Sequence, residues 1–232
     1  MKIIFLNTWN GKQESEMRDF LQEHAGSTDV FCFQEAEDTF RAIAREYLID
    51  FTEEYRYFDG FDTPRGREDW SQVTYTRKTL SVVRSSAEFN TGDPAGLGIV
   101  TELQFQNTKL YILNYHGVSY PKDKLDSEAR LKQSRHILDY FSDKPGLHIL
   151  GGDFNFIPST KSYRMFTEEG YKELVDEYKI PTTRNHLYFD NRTETHLFSD
   201  YIFISPVIKI RGLTAPTILV SDHLPLILEI EI

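Results

Sequence analysis

The chain has 232 residues, 40% of them hydrophobic and 14% aromatic, enough to bury a substantial core in one large domain spanning 1–232. An ordinary charged fraction of 27% and a single cysteine exclude the disordered, collagenous and disulfide-scaffold classes. A formal net charge of -10 disfavours sequence-blind binding along a long nucleic acid, which relies on Lys and Arg displacing counterions. It leaves open chemistry at a metal site, where a bound cation reverses the local field.

The N-terminus, MKIIFLNTWNG, has an apolar run too short for a signal-peptide core or a bilayer span, so a soluble, cytoplasmic monomer is expected. Apolar runs of strand length follow in chain order: KIIFL from Lys2, VFCF from Val30, LYILNY from Leu110, LHIL from Leu147, YIFI from Tyr201 and LPLILEIEI from Leu224. They are rich in Ile, Val, Phe and Tyr and bounded by Gly, Asn, Asp or Pro, the pattern of buried strands. Less buried strands are predicted over Gln72–Val83 and Leu97–Phe105, and Asn107-Thr108 marks a hairpin after the second. Helical spacing recurs at Met17, Phe20, Leu21 and His24, at Ile43 and Tyr47, and at Leu131, Ser134, Ile137, Leu138 and Phe141. Cys32, between two Phe residues, is expected to be a buried small hydrophobe. The implied class is α+β, a four-layer α/β sandwich of two mostly antiparallel sheets packed face to face with helices outside.

Polar residues gather at the strand ends. Asn7, Glu35, His116 and the pair Asp153 and Asn155 each follow an apolar strand, whereas Asp200 precedes one, as do Asp222 and His223. In antiparallel sheets the start of one strand lies beside the end of its neighbour, so both sets meet at one rim. Four carboxylates in one place repel one another unless a cation is present. The oxygen-rich donors suit Mg2+ or Mn2+, and no HExxH pair or Cys/His cluster points to zinc. Singly, each residue reads as a turn former or a solvated strand terminus. The whole set in this order does not.

The segments LNTWNG, FQE, NYHG, GGDFN, FSDYIF and SDHLPL resemble, in order, the motif series of the endonuclease/exonuclease/phosphatase superfamily. That superfamily includes deoxyribonucleases, AP endonucleases, inositol polyphosphate phosphatases, sphingomyelinases and deadenylases. The resemblance implies a divalent-metal-dependent hydrolase of phosphate esters. It makes Glu35 the principal metal ligand, with Asn7 near metal and phosphate and Asp222 in the metal shell. Asp153 and Asn155 would position the attacking water and the scissile phosphate, Asp153 being the candidate base. His223, oriented by Asp200, would contact the phosphate or move a proton, and His116 would bind phosphate oxygens or assist the leaving group. Histidine at position 116 speaks against abasic-site repair.

Two polar stretches are expected to be irregular loops. The first, EEYRYFDGFDTPRGREDW, offers Tyr55, Tyr57, Phe58, Phe61 and Trp70 with Arg65 and Arg67, either as a base-stacking, phosphate-holding border of the cleft or as aromatics packed under the sheet edge. The second contains Arg184, which reaches a phosphate on one reading and belongs to a solvated loop on the other. The substrate expected is a small-molecule phosphate ester or a short nucleic acid, hydrolysed most simply as a phosphodiester, with a DNA or RNA nuclease as the alternative. A catalytically silent binding protein and a two-carboxylate glycosidase are the competing classes. The glycosidase would need neither metal nor Asn and His partners.

Overall fold

The computed structural model describes residues 1–63, 66–89, 97–105, 107–190 and 196–231, the side chains of 59–63, 66–69 and 97 excepted. In chain order come β1 (Lys2–Asn7), α1 (Glu14–His24), β2 (Val30–Gln34), α2 (Asp38–Tyr47), β3 (Phe51–Thr63) and β4 (Gly66–Arg77). Next are β5 (Val82–Glu88), β6 (Leu97–Phe105), β7 (Thr108–His116), α3 (Glu128–Ser142), β8 (Leu147–Asp153) and α4 (Lys161–Glu168). The chain closes with β9 (Lys172–Glu173), α5 (Leu174–Glu177), α6 (His186–Phe189), β10 (Asp200–Ile204), β11 (Lys209–Thr214) and β12 (Leu226–Glu231).

Two sheets of six strands result, ordered β11-β12-β1-β2-β4-β3 and β5-β6-β7-β8-β10-β9. Each contains one parallel pair, β1 with β2 and β7 with β8, and is otherwise antiparallel. Alternation along the strands decides the layering. Ile3, Phe5, Val30 and Cys32 turn toward the second sheet, into one core with Ile112, Ile149 and Ile202. Ile4, Leu6, Phe31 and Phe33 turn outward, onto Met17, Phe20 and Leu21 of α1 and Phe40 and Ile43 of α2. On the far side Ile137, Leu138 and Phe141 of α3 and Phe166 of α4 cover the second sheet. The expected four-layer α/β sandwich is the observed one. Strands covered on both faces explain the near-continuous apolar runs. Cys32 is fully buried, and burial pushes its thiol up. Among the described residues no helix is long and apolar enough to cross a membrane.

Three expectations change. The stretch 53–70 is not an irregular loop: β3 and β4 pair from Phe51↔Arg77 to Thr63↔Gly66 as one long hairpin. Its edge position tolerates polar residues, which hid the alternation, and Arg41 of α2 anchors it by stacking 3.5 Å from the Tyr55 ring and bonding Glu53. Gln72–Val83 is not one strand either. A turn closed by Leu80 N–H on Arg77 O breaks it, and the chain crosses to the other sheet at Val82. The stretch around Arg184 is no solvated loop, for Arg184 is only 3% exposed.

Candidate active site

Strand register delivers the polar residues to one rim. Asn7 pairs with Gln34, the residue before Glu35, while His116 and Asp153 are register partners at the ends of β7 and β8. Asp200 opens β10 directly across from Asp153. His223, just ahead of β12, is joined to Arg184 by an isolated antiparallel bridge. Beneath the rim a buried amide seam locks the two sheets together. Gln34 Nε2 donates to Asn114 Oδ1 at 2.6 Å, and Asn114 Nδ2 donates to the carbonyls of Phe33 and Val73 at 3.2 and 3.1 Å. Glu35 and His116 therefore sit on a rigid base although they come from different sheets.

The GG of GGDFN is set by space. A Cβ at Gly151 would lie 2.5 Å from the Phe5 ring of the facing sheet, and one at Gly152 2.1 Å from Tyr115 O. Only glycine lets the chain reach Asp153 by this route. Backbone strain marks the same rim. Seven described non-glycine residues have positive φ, and Trp9, Asn10, Glu35, Lys124 and Asn155 are five of them.

Asp153 is the centre of the arrangement. Its Oδ1 accepts from the Asn155 N–H at 3.1 Å and from the Ser199 hydroxyl. Its Oδ2 accepts from Asn7 Nδ2 at 3.2 Å and faces His223 Nε2 at 3.7 Å, His116 Nε2 at 3.9 Å and Arg184 Nη2 at 3.9 Å. Asn7 Nδ2 also donates to Glu35 Oε1 at 2.9 Å, and Asn7 Oδ1 is taken by the Trp9 N–H. As oriented, Asn7 aligns the two carboxylates. His116 Nε2 is 4.0 Å from Glu35 Oε1, and its Nδ1 finds no hydrogen-bond partner among the described residues.

Asp200 holds His223 as expected, its two oxygens lying 2.8 and 2.9 Å from Nδ1. Arg184 donates to His223 Nε2, so the ring proton belongs on Nδ1, facing Asp200. Arg184 also lies 3.7 Å from Asp222 Oδ2 and stacks 4.4 Å from the Tyr188 ring.

Burial alone would raise the Asp153 carboxyl, but Lys124, His223, Arg184 and His116 outweigh it and hold the group well below the usual carboxylate range. Asp200 behaves oppositely: burial and the neighbouring Asp153 charge push it up to about 8. Burial and Arg184 lower His223 to about 3. A carboxylate partner alone would favour the cationic ring, but here desolvation and the guanidinium win. Burial, with Arg184, likewise lowers Lys124 to about 7.

The donor set fits a divalent cation. Asp153, Asp200 and Asp222 surround the buried Arg184, and with Glu35 on the same rim the four carboxylates outnumber the two buried basic side chains, Arg184 and Lys124. Asp153, Asp200 and His223 offer ligand atoms within 4.8 Å of one another. Both His223 nitrogens are already engaged, however, by Asp200 and Arg184. Glu35, whose side chain is 41% exposed while Asp153, Asp200 and Asp222 are buried, is the carboxylate open to the cleft and the better anchor for an oxygen-seeking cation.

All eight strand-end residues thus converge, and Arg184 joins them from within the cluster. Arg65 lies outside the described residues, and Arg67 is described in its backbone alone. Trp70 is buried beside Phe58 and Val118, its ring 6.2 Å from that of His116, which favours packing over base stacking. Sequence reasoning missed Lys124 and Ser199. Lys124 sits among other charges in PKDKLD and looks solvated, whereas Ser199 directly precedes Asp200 in a motif already singled out.

A two-sheet sandwich with an acidic, histidine-bearing rim and a buried guanidinium defines a phosphoesterase class. A model of the endonuclease/exonuclease/phosphatase family matches residues 4–223, and the chain belongs to that family. Its members are hydrolytic phosphoesterases, so the chain is an enzyme and the glycosidase and silent-protein readings fall. Similar structures include an endonuclease/exonuclease/phosphatase family protein of Bacteroides thetaiotaomicron, at a TM-score of 0.76 and 18% identity over 99% of this chain and 97% of that one. A mannosyl-6-phosphatase of the same organism has a TM-score of 0.72 and 17% identity over 100% of both chains. TDP2 of C. elegans has a TM-score of 0.69 and 16% identity over 99% of this chain and 74% of that one. No curated protein sequence matches. At these identities the likeness is one of fold.

Proposed function

We propose that this enzyme is a Mg2+- or Mn2+-dependent phosphodiesterase that cleaves small or terminal phosphate esters by in-line attack of water. The observation that carries the reading is Asp153 Oδ2, an ionised oxygen ringed by Asn7 Nδ2, His116 Nε2, His223 Nε2 and Arg184 Nη2 within 3.9 Å. An anionic phosphate entering this ring meets the Arg184 guanidinium, the Asn7 amide and the His116 ring, and one carboxylate that aligns the attacking water. Asp200 fixes the His223 ring so that Nε2 accepts from Arg184 and steadies the guanidinium beside Asp153, and Asn155 and Ser199 occupy Asp153 Oδ1 so that Oδ2 is the oxygen turned to the water. His116 Nε2, facing Glu35 and Asp153, is placed to assist the departing oxygen. Glu35 and Asp222 would hold the cation, which lowers the pKa of water and neutralises the phosphate oxygens.

The test is a hydrolysis screen over bis(p-nitrophenyl) phosphate, p-nitrophenyl phosphate, nucleotides, inositol phosphates, sphingomyelin and oligonucleotides, with Mg2+, Mn2+ or chelator. Turnover should require the metal and be suppressed in Glu35→Ala, with partial recovery at excess metal. Undiminished turnover by Glu35→Ala in chelator would remove the metal assignment.

A further inference from the structure

The loop between β7 and α3 buries a lysine that strand-end logic does not supply. Lys124 is 4% exposed and sits at φ 56, a conformation that costs a non-glycine residue. A buried ammonium is expensive unless its protons are used. Both its hydrogen-bond partners are neutral: Asn155 Oδ1 at 2.9 Å and Ser199 Oγ at 2.7 Å. Among the described residues the lysine makes no direct ion pair. What it does is fix the direction of two groups.

An ammonium can only donate, so Asn155 must present Oδ1 to it and turn Nδ2 toward Gly117 O, at 3.0 Å. The same constraint makes Ser199 Oγ an acceptor from Lys124, leaving its own proton for Asp153 Oδ1. With Oδ1 taken by Ser199 and the Asn155 N–H, Oδ2 is the Asp153 oxygen turned to Asn7, the two histidines and Arg184. The loop is itself held in place. Buried Arg130 of α3 donates to the carbonyls of Leu125, Pro121 and Ser119, on both sides of Lys124.

We infer that Lys124 is a positioning residue of the hydrolytic site, which through Ser199 and Asn155 selects the Asp153 oxygen that aligns the attacking water. The inference rests on the proposed function. Phosphate binding is not part of the inference, because the buried ammonium commits two of its three protons to Asn155 and Ser199.

The experiment uses the full chain with Mg2+ and bis(p-nitrophenyl) phosphate. Lys124→Met keeps the length of the side chain and removes the donors. It should lower kcat by about 30-fold to 100-fold, the scale of a misaligned reacting group, and change KM less than threefold. Ser199→Ala should lower kcat by about 10-fold, and Lys124→Met/Ser199→Ala should be no slower than Lys124→Met, because both act through one relay. In an Asp153→Asn background, Lys124→Met should have less than a threefold effect, since there is no carboxylate left to orient. Thermal stability should fall modestly in Lys124→Met, because Asn155 Oδ1 and Ser199 Oγ lose a buried donor, so kcat is compared well below the Tm of each variant. Independent, multiplying effects, a loss carried by KM, or a kcat loss that merely follows a fall in Tm would each overturn the inference. Unchanged kcat in Lys124→Met, with Asp153→Asn impaired, would overturn it and leave the proposed function standing. Full activity of Asp153→Asn, or no turnover by the wild type, would overturn the proposed function and this inference with it.

Discussion

Replacing Gly152 by alanine should damage stability and turnover together. Its φ of +132 is one that side-chain-bearing residues rarely adopt, and the added Cβ would lie 2.1 Å from Tyr115 O. Real Cβ contacts essentially never fall below 3.0 Å, so β7 and β8 must part locally by at least about 0.9 Å. The backbone conformation costs about 1–3 kcal/mol and overpacking another ~1–3 kcal/mol. For a chain of this length each kcal/mol lowers Tm by roughly 2–4 °C, so a fall on the order of 10 °C is expected. Asp153 follows directly, and its Oδ2 works within 3.9 Å of four nitrogens. A shift approaching 1 Å should cost turnover on the order of 100-fold. Gly170→Ala is the control. It has φ +89 with nothing within 4 Å of the added atom, so it bears the backbone cost alone, loses only a few degrees by the same scaling and keeps its activity. Differential scanning fluorimetry and steady-state kinetics on both variants decide the matter. Gly152→Ala melting within 2 °C of Gly170→Ala, by the same scale, and retaining full kcat would refute the reasoning.

Asp153→Asn and His223→Ala should each lower kcat by about 100-fold or more with unchanged circular dichroism. Asp200→Asn should be milder, and combined with His223→Ala it should add nothing; multiplying effects would break the pairing. Stability should fall on mild acidification, in part through His148, whose pKa burial lowers from 6.5 while its Nε2 donates to Lys144 O. The unfolded chain then takes up the proton first, so the stabilisation is present above pH 6.5 and is lost as pH falls below it. Urea unfolding at pH 7.5 and pH 5.5 should show a smaller drop for His148→Gln than for the wild type, and parallel drops would exclude His148 as the source. A net charge of -10 offers no basic track for a duplex, so the rate on a small diester should change little between low and moderate salt. Efficient plasmid nicking that collapses as salt rises would show a basic groove and move the assignment to a nuclease.

What could be read in the chain beforehand, and what could not, divides by kind of interaction. Strands buried on both faces write themselves as apolar runs, so KIIFL, VFCF and LYILNY announce the two sheets, and the polar residue that ends each run announces the rim. The β3–β4 hairpin does not, because β3 is the edge strand and mixes polar residues into its run; Glu53 and Tyr55 are steadied by Arg41 from α2, a contact with no periodicity. Buried charge is the harder case. Lys124 and Arg184 are written like any solvated basic residue, and neither composition nor spacing separates them from Lys122 or Arg211. Only the neighbours make the difference: Arg184 is affordable in the interior because Asp153 and Asp222 lie within 3.9 Å, and Lys124 because Asn155 and Ser199 accept its protons. Those neighbours are up to 75 residues away in the chain. A carboxylate-rich rim seen in a sequence should therefore be read as a demand for compensating cations, met here partly by two basic side chains from loops and partly, on the function proposed, by a divalent ion.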